Sequence, residues 1–416
     1  MNVVVSLTEV VLGPKLRQVD LQKWPRIMRY VLYKNMHRMT GLEKLNLGSC
    51  SGGWKENDRC LADGMIKMVH LRSLCLCFDA TDQIVQMLAR SCPVLAFLDL
   101  TSSGSVTDRS VPHLLQLSQL QEVQLHRTSV SVAALAAIIT GLSRLYSLGR
   151  CDDFSAVVRH LNPNGCFPLK RVHTRDLSTD VLKLLVDMFP EIEYICLFLD
   201  QHSCDLTVLI SLDRLRELKL LSCAFYGDYL KQLLEERGRN ITSLHLEHVE
   251  ELDFRVLVDI SQCCPYVKNL VFYNCDFRQS SAALTDVLFK TSPFFCLERL
   301  FWVVDGVITH LEFLLAHAFG IRYIHLGSST GITHSSVVNI LSKNPMRQLE
   351  EFRVLYSIDM SMRTVELLMA SCINLKVLSE LESWQGISLN ELNAFKNYIV
   401  KNNFDLDISP TLSFTT

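Results

Sequence analysis

The sequence has no excess of charge of either sign and no long apolar run. Lys+Arg 41 against Asp+Glu 44 gives a formal net charge of -3, which is not the signature of a nucleic-acid-binding protein. No stretch approaches the roughly 20 apolar residues of a membrane-spanning helix. The first residues lack the basic segment of a secretory signal, and Glu9 interrupts their apolar run. We therefore expect a protein of the cytoplasm or nucleus that binds neither nucleic acid nor membrane.

Catalytic and metal-binding patterns are also scarce. The sequence contains no GxxxxGK[ST] phosphate loop and no HExxH zinc motif. Cys75-Leu-Cys77 would place two thiols on one strand face, but no second pair of cysteines accompanies it. His245 and His248 would lie on opposite faces of a strand. The sequence thus predicts no catalytic residue, no metal site and no cofactor.

A pattern LxxLxL, with Ile or Val at some positions, recurs along the chain. Its copies begin at Leu16, Leu42, Leu71, Leu95, Leu120, Leu145, Leu169, Ile192, Leu215, Ile241, Val267, Leu297, Ile321, Leu349 and Leu375. The mean spacing of about 26 residues lies in the range of leucine-rich repeats. A short strand with these apolar residues on one side therefore recurs at a fixed interval.

Each copy is followed by a polar or small residue and then by a helix. The residue eight positions after the first leucine is often small, polar or sulfur-bearing, as at Ser103, Cys275 and Ser357. Such a side chain can satisfy backbone groups where the chain leaves a strand. Helix-period stretches begin after Thr81 and Ser131, which are good N-cap residues.

These units predict an α/β leucine-rich repeat solenoid. We expect a horseshoe of about 15 repeats, with short parallel strands on the concave face and helices on the convex face. Residues 1–15 would form a partial repeat or an N-terminal cap, residues 16–387 the solenoid, and residues 388–416 a C-terminal helix and tail. Ser388 and Glu391 would open that helix as a capping box. The tail would either cover the last layer or fold back across the concave face.

The 15 cysteines do not indicate a disulfide framework, because many occupy positions set by the repeat. These positions include Cys50, Cys92, Cys223, Cys264, Cys275 and Cys372. In a chain of this length without a signal peptide, we expect reduced and mostly buried thiols.

Several repeats carry a longer phrase with a cysteine. Ser91-Cys92-Pro93 and Cys263-Cys264-Pro265 each precede a leucine-rich copy, and Ser371-Cys372 precedes the last one. The phrase resembles the cysteine-containing leucine-rich repeats of F-box/LRR proteins, over roughly residues 16–385. The resemblance implies substrate recognition for cullin-type ubiquitin ligases, with ligase components as possible partners. The first strand begins too early for a preceding F-box, so we expect a relative without an F-box or a truncated product, and we do not carry over the adaptor contact.

The third, fifth and seventh positions of each repeat would point away from the buried leucines, onto the concave face. We predict that the partner-binding residues are Phe97, His126, Arg171, His173, Arg175, Tyr194, Phe198, His245, Tyr273, Arg299, Phe301, Tyr323 and His325. Aromatic residues and Arg are enriched where protein interfaces gain most of their binding energy. The alternative is that these side chains only pack against each other across strands.

The predicted function is a non-enzymatic protein-protein interaction module. It would serve as a substrate-recognition or scaffold subunit, as the F-box/LRR resemblance implies. The alternative is an inhibitor or regulator that wraps a single partner enzyme on its concave face.

Overall fold

The computed structural model describes residues 10–21, 31–32, 34–49, 63–199, 204–223, 227–250, 252–277 and 293–409. The predicted N-terminal cap, residues 1–15, lies mainly outside this part of the chain, as does Cys50. The chain divides into two compact units, Met1–Ile195 and Cys196–Thr416.

Among the described residues, fifteen strands form one sheet in which the strand order follows the chain order. They are β1 (Gln18–Asp20), β2 (Lys44–Ser49), β3 (Ser73–Cys77), β4 (Phe97–Asp99), β5 (Glu122–Gln124), β6 (Ser147–Arg150), β7 (Arg171–Arg175), β8 (Tyr194–Phe198), β9 (Glu217–Cys223), β10 (Ser243–Val249), β11 (Asn269–Tyr273), β12 (Arg299–Val303), β13 (Tyr323–Leu326), β14 (Glu351–Val354) and β16 (Val377–Ser379). The fold is therefore an α/β leucine-rich repeat solenoid of about 15 repeats, as predicted.

The register of the sheet matches the register of the repeat. Every strand begins two residues after the first apolar residue of its LxxLxL copy, for example Ser73 after Leu71 and Glu217 after Leu215. Leu74 and Leu76 of β3 are fully buried, whereas their neighbours on the strand are only half-buried. The leucines of successive strands thus form the apolar core, because no single repeat can bury its own apolar side.

Helices return the chain from one strand to the next. The α-helices whose bounds lie in the described part of the chain are Asp82–Ser91, Val111–Leu114, Val132–Gly141, Phe154–His160, Thr179–Met188, Gly227–Arg237, Phe254–Cys263, Ile308–His317, His334–Lys343, Met362–Ser371 and Leu389–Lys401. The 3-10 helices are Met36–Arg38, Asp108–Ser110, Leu206–Ser211, Gly238–Asn240 and Leu381–Ser383. The hydroxyls of Thr81 and Ser131 accept hydrogen bonds from Ile84 N and Ala134 N, so the predicted caps are confirmed. No helix in the described part of the chain combines the length and the apolar character needed to cross a membrane.

Side chains at the predicted turn position tie three of the repeats to the one before. The buried Ser103 hydroxyl donates to Leu76 O at 3.4 Å, and Ser357 Oγ donates to Ile332 O at 3.0 Å. Cys275 Sγ donates to Leu246 O at 3.2 Å. The polar or sulfur-bearing residue therefore satisfies a carbonyl at the end of the preceding repeat.

In seven of the fifteen described repeats, the same position near the end of the strand has left-handed backbone geometry. Seven positions after the first apolar residue of the copy, φ is positive at Phe78, Ser102, Arg127, Asp176, Ser222, His248 and Asn274. None of these residues is glycine, so each carries a conformational cost. The left-handed residue breaks the alternation of the strand and turns the chain towards the helix.

The C-terminal region contains a second, small sheet that the sequence analysis did not predict. Strands β15 (Ser357–Ser361) and β17 (Trp384–Gly386) pair in parallel beside the last helices. The buried Trp384 indole donates from Nε1 to Val354 O at 3.1 Å. After the capping-box helix Leu389–Lys401, Asp407 forms a parallel bridge with Val377 of the terminal strand. The tail as far as residue 409 thus lies against the edge of the sheet.

The cysteines that the structure describes carry free thiols. Burial raises the pKa of Cys92, Cys264 and Cys372 to about 12. Because the thiolate is the reactive form, these thiols are structural residues. Most cysteines in this part of the chain are buried, as expected, and their reduced state stays a prediction.

Candidate functional site

The side of the sheet opposite the buried leucines, called here the outward face, is formed by the third, fifth and seventh positions of the repeats. All the predicted contact residues lie on it, in the strands or directly after them. Arg299 is exposed, and the others are half-buried. None is part of the leucine core, so each presents some surface to solvent. Their role in binding stays a prediction.

In the second unit, four rings lie in a row across neighbouring strands. Tyr273 and Phe301 have ring centroids 6.1 Å apart, and Phe301 and His325 have centroids 6.0 Å apart. His248 meets the Tyr273 ring edge-on at 5.8 Å. We call His248, Tyr273, Phe301 and His325 the ring row. The structure thus brings together three predicted residues that are dispersed over more than 50 positions of the sequence.

His248 was expected on the opposite side of its strand from His245, and this expectation is wrong. Its φ of 51° breaks the strand alternation, so the exposed imidazole lies beside Tyr273 on the outward face. Strand periodicity alone misses this residue, because the rule holds only while the backbone stays extended.

Ion pairs flank the ring row on both sides. On β10, His245 Nε2 donates to Glu247 Oε2 at 3.1 Å, and Lys219 Nζ lies 3.2 Å from the same oxygen. The hydrogen bond from His245, reinforced by Lys219, lowers the pKa of Glu247 to about 2. The carboxylate therefore keeps its charge over most of the pH range.

The other flank has the same design. His325 Nε2 donates to Glu351 Oε1 at 2.7 Å, and Arg353 Nη2 donates to that oxygen at 2.6 Å. These two donors, His325 first, lower the pKa of the Glu351 carboxyl. Glu351 was not among the predicted residues, although its position as the register neighbour of Tyr323 follows from the repeat.

Arg299 and Tyr323 form a second contact next to the ring row. The Arg299 guanidinium lies 4.5 Å from the centroid of the Tyr323 ring, which is a cation–π geometry. The Tyr323 hydroxyl points to Glu350 Oε2 at 3.5 Å, and Arg322 is hydrogen-bonded to the same carboxylate. These contacts hold the Tyr323 ring and the charged groups around it in place within the chain itself.

In the first unit, the predicted basic residues do not form an uninterrupted stripe. Arg171 stacks on Tyr194, with Cζ 4.1 Å from the ring centroid. Arg175 Nε lies 3.5 Å from Asp176 Oδ2. His173 lies between these two arginines on β7. The basic residues of β7 thus lie beside an aromatic ring and a carboxylate.

His126 and Phe97 lie elsewhere on this unit. His126 Nδ1 is 3.8 Å from Asp152 Oδ2, and burial lowers the pKa of the His126 imidazole despite the carboxylate. Phe97 begins β4, in register with Glu122 of β5. Phe198 ends β8 and falls in the second unit. None of these three residues belongs to the ring row.

The described chain contains one group of residues that could hold a metal ion: Cys75, Cys77 and Asp99. The hydrogen bond with Cys77, together with burial and the Asp99 charge, raises the pKa of the Cys75 thiol. Asp99 was not recognised as a third ligand from the sequence, because it is 24 residues from Cys75. Cys75 and Asp99 both occupy the fifth position of their repeats. A comparison of that position in neighbouring repeats would have predicted that they lie close together.

A GxSxG pattern, Gly327-Ser-Ser329-Thr-Gly331, follows β13 and was also missed. In a nucleophile elbow the serine sits on a strained turn between strand and helix. Here Gly331, with a φ of 68°, has the left-handed backbone, and Ser329 does not. No hydrogen bond joins the Ser329 side chain to a histidine among the described residues. We assign the pattern to the loop of this repeat.

No family model matches the chain. Similar solved structures include a leucine-rich repeat protein of Leptospira interrogans, at 13% identity over 97% of each chain, with a TM-score of 0.38. A chain of the Rad7 and Elc1 complex from yeast is 14% identical over 94% of this chain and 91% of its own, with a TM-score of 0.40. A chain of the mouse RP105/MD-1 complex is 12% identical, covers 95% and 71%, and has a TM-score of 0.44. At these values, the assignment of the chain as a leucine-rich repeat solenoid rests on its own strand order and repeat register.

Proposed function

We propose that the chain is a protein-interaction module that binds its partner on the outward face of the second unit. The observation that carries this proposal is the ring row, with successive ring centroids 5.8, 6.1 and 6.0 Å apart. Large rings that remain partly exposed on a solvent-facing sheet are unusual unless something covers them.

The surroundings of the ring row support this reading. Protein interfaces commonly combine an apolar, aromatic centre with a polar rim. Here the centre is formed by Tyr273 and Phe301, and the rim by the pairs of Glu247 and Glu351 with their donors. These carboxylates already have donors within the chain. A partner that covers them would therefore bury no unpaired charge.

Two roles would use this surface. The first is a substrate-recognition or scaffold subunit, as the resemblance to F-box/LRR proteins implies, in the cytoplasm or nucleus. The second is an inhibitor that wraps a single enzyme. Both are binding roles without catalysis by this chain. They differ in the number of partners and in the affinity for each.

The test is capture of proteins from cell extract by the immobilised full chain, with quantification by mass spectrometry. We expect the double variant Tyr273→Ala/Phe301→Ala to retain less than about a tenth of each specific partner, because central aromatic residues often contribute about 2 kcal/mol or more. Several partners, or a cullin adaptor among them, would favour the receptor role. One partner in near-stoichiometric amount would favour the inhibitor.

Tyr266→Ala is the matched control, because Tyr266 is 57% exposed but lies outside the strands. It should retain every partner. Thermal unfolding must show that the double variant is folded. If the folded double variant captures the same proteins as the wild type, the rings serve only to pack the sheet and the proposal is wrong.

A further inference from the structure

Two thiols and a carboxylate converge on the outward face of the first unit. Cys75 and Cys77 occupy the fifth and seventh positions of the repeat on β3, and Asp99 is the register neighbour of Cys75 on β4. Cys75 Sγ lies 3.6 Å from Cys77 Sγ and 3.5 Å from Asp99 Oδ2. The three ligand atoms lie within 4.8 Å of one another.

We propose that Cys75, Cys77 and Asp99 form a binding site for a thiophilic divalent cation, with Zn²⁺ as the best fit. In a tetrahedral zinc site with Zn–S of about 2.3 Å and Zn–O of about 2.0 Å, two sulfurs are about 3.8 Å apart. A sulfur and an oxygen are then about 3.5 Å apart. Two of the three distances in the structure are close to these values. The third, from Cys77 Sγ to the Asp99 carboxylate, is at most 4.8 Å, so the ligands must close in by at most about 1.3 Å to enclose an ion.

The orientation of Asp99 supports the site independently of the thiols. Asp99 Oδ1 accepts a hydrogen bond from Thr101 N at 2.9 Å, which leaves Oδ2 directed towards Cys75. A carboxylate held in this way loses little conformational freedom on binding a metal. Thr101 therefore positions the ligand without contacting the ion.

The donor set selects the kind of metal. Two sulfurs favour soft or borderline ions, whereas Mg²⁺ and Ca²⁺ favour sites made of oxygen alone. Binding releases the protons of both thiols, so the site should bind more tightly as the pH rises. Three protein ligands leave the fourth tetrahedral position to water, as in open zinc sites.

The neighbouring strand does not fill that fourth position in this arrangement. Asn46 of β2 is the register neighbour of Cys75, but its Oδ1 accepts a hydrogen bond from Gly48 N at 3.0 Å. A donor group from a bound protein could replace the water on this solvent-facing surface.

The experiment uses the reduced full chain, freed of metal with a chelator and titrated with Co²⁺ as a spectroscopic probe of Zn²⁺ sites. We expect one equivalent to give tetrahedral d–d bands and a thiolate charge-transfer band, which Zn²⁺ then abolishes. Cys75→Ser should lose the bands. Asp99→Asn should weaken binding at least about tenfold while its Oδ1 still accepts from Thr101 N.

Cys166→Ser is the matched control, because Cys166 is exposed and lies outside the strands. It should bind Co²⁺ like the wild type. Zn²⁺ should also raise the Tm of the wild type and of this control but not of the Cys75→Ser variant. Bands of unchanged intensity in Cys75→Ser, or unchanged affinity in Asp99→Asn, would place the metal elsewhere and overturn the proposal.

Discussion

Glu247 illustrates how single side chains on the outward face are kept charged. It accepts from His245 at 3.1 Å and has Lys219 Nζ at 3.2 Å. The ordinary pKa of its carboxyl is 4.5, and the folded protein lowers it to about 2. Its stabilising effect is therefore complete above pH 4.5 and is lost as the pH falls from 4.5 towards 2.

We predict that Glu247→Gln lowers the free energy of unfolding at neutral pH by about 1–3 kcal/mol, because the lowered pKa corresponds to about 3 kcal/mol and solvent screens part of it. The difference between wild type and variant should shrink between pH 4.5 and pH 2, where the wild-type carboxylate becomes protonated. Urea denaturation at a series of pH values measures the difference in free energy of unfolding between the two proteins. The exchange Glu236→Gln on an exposed helical position is the control. A difference that stays constant with pH would contradict the assigned role of the ion pair.

At the scale of the element, the strands end through residues in the left-handed conformation. Phe78, Arg127 and His248 have φ values of 70°, 56° and 51°. An L-residue with a Cβ atom pays about 1–2 kcal/mol for this geometry, and β-branched residues are the least tolerant. The same turn recurs in several repeats. In each of them, the burial of the leucines on either side of the turn offsets its conformational cost.

We predict that Arg127→Gly is more stable than Arg127→Val by about 1–2 kcal/mol, because only glycine adopts positive φ without strain. Chemical denaturation of both variants measures the difference. Gln121 is an exposed residue at the entry to β5 and has no positive φ. At this position the valine variant should be more stable than the glycine variant, since glycine loses more chain entropy on folding. An equal preference for glycine at both positions would argue against backbone strain at Arg127.

The start of each strand in the sheet could be predicted from the sequence, because leucines at a fixed interval must be buried together. The small sheet of β15 and β17 could not, since Ser357 and Trp384 lie outside the LxxLxL pattern. The left-handed turns were also missed. Phe78 and Arg127 are not residue types that favour such geometry, and only the path of the chain imposes it.

The candidate site was predicted in part. The alternation of the strand places Tyr273, Phe301 and His325 on the outward face, as expected. The side chains that these residues contact depend on which positions face each other on neighbouring strands, which are about 25 residues apart in the sequence. Glu351 and Asp99 could have been found by comparing equal positions in successive repeats. His248 could not, because it requires a broken alternation.

At the scale of the molecule, the C-terminal tail protects one edge of the sheet. Leu378 N donates to Asp407 O at 2.9 Å, and Asp407 N donates to Lys376 O at 2.7 Å. These bonds occupy backbone groups that would otherwise be available to a strand of another molecule. The tail thus satisfies the terminal strand as a further strand would.

We predict that a chain shortened to end at residue 403 self-associates, because the edge of β16 loses its partner. Sedimentation velocity over a range of concentrations should show larger species. A chain shortened to end at residue 409 keeps Asp407 and should behave like the unshortened chain. If the two shortened chains sediment alike, the edge contact has no role in preventing association.

The order of the strands has a consequence for how the chain is made. Register partners lie only 24 residues apart between Ser73 and Phe97, and 30 apart between Asn269 and Arg299. Contacts between residues close in sequence form quickly, since only a short loop must close. Each new strand meets its neighbour as soon as its own repeat leaves the ribosome. We therefore expect each part of the sheet to grow repeat by repeat during synthesis, with the tail docking on the terminal strand as the last step.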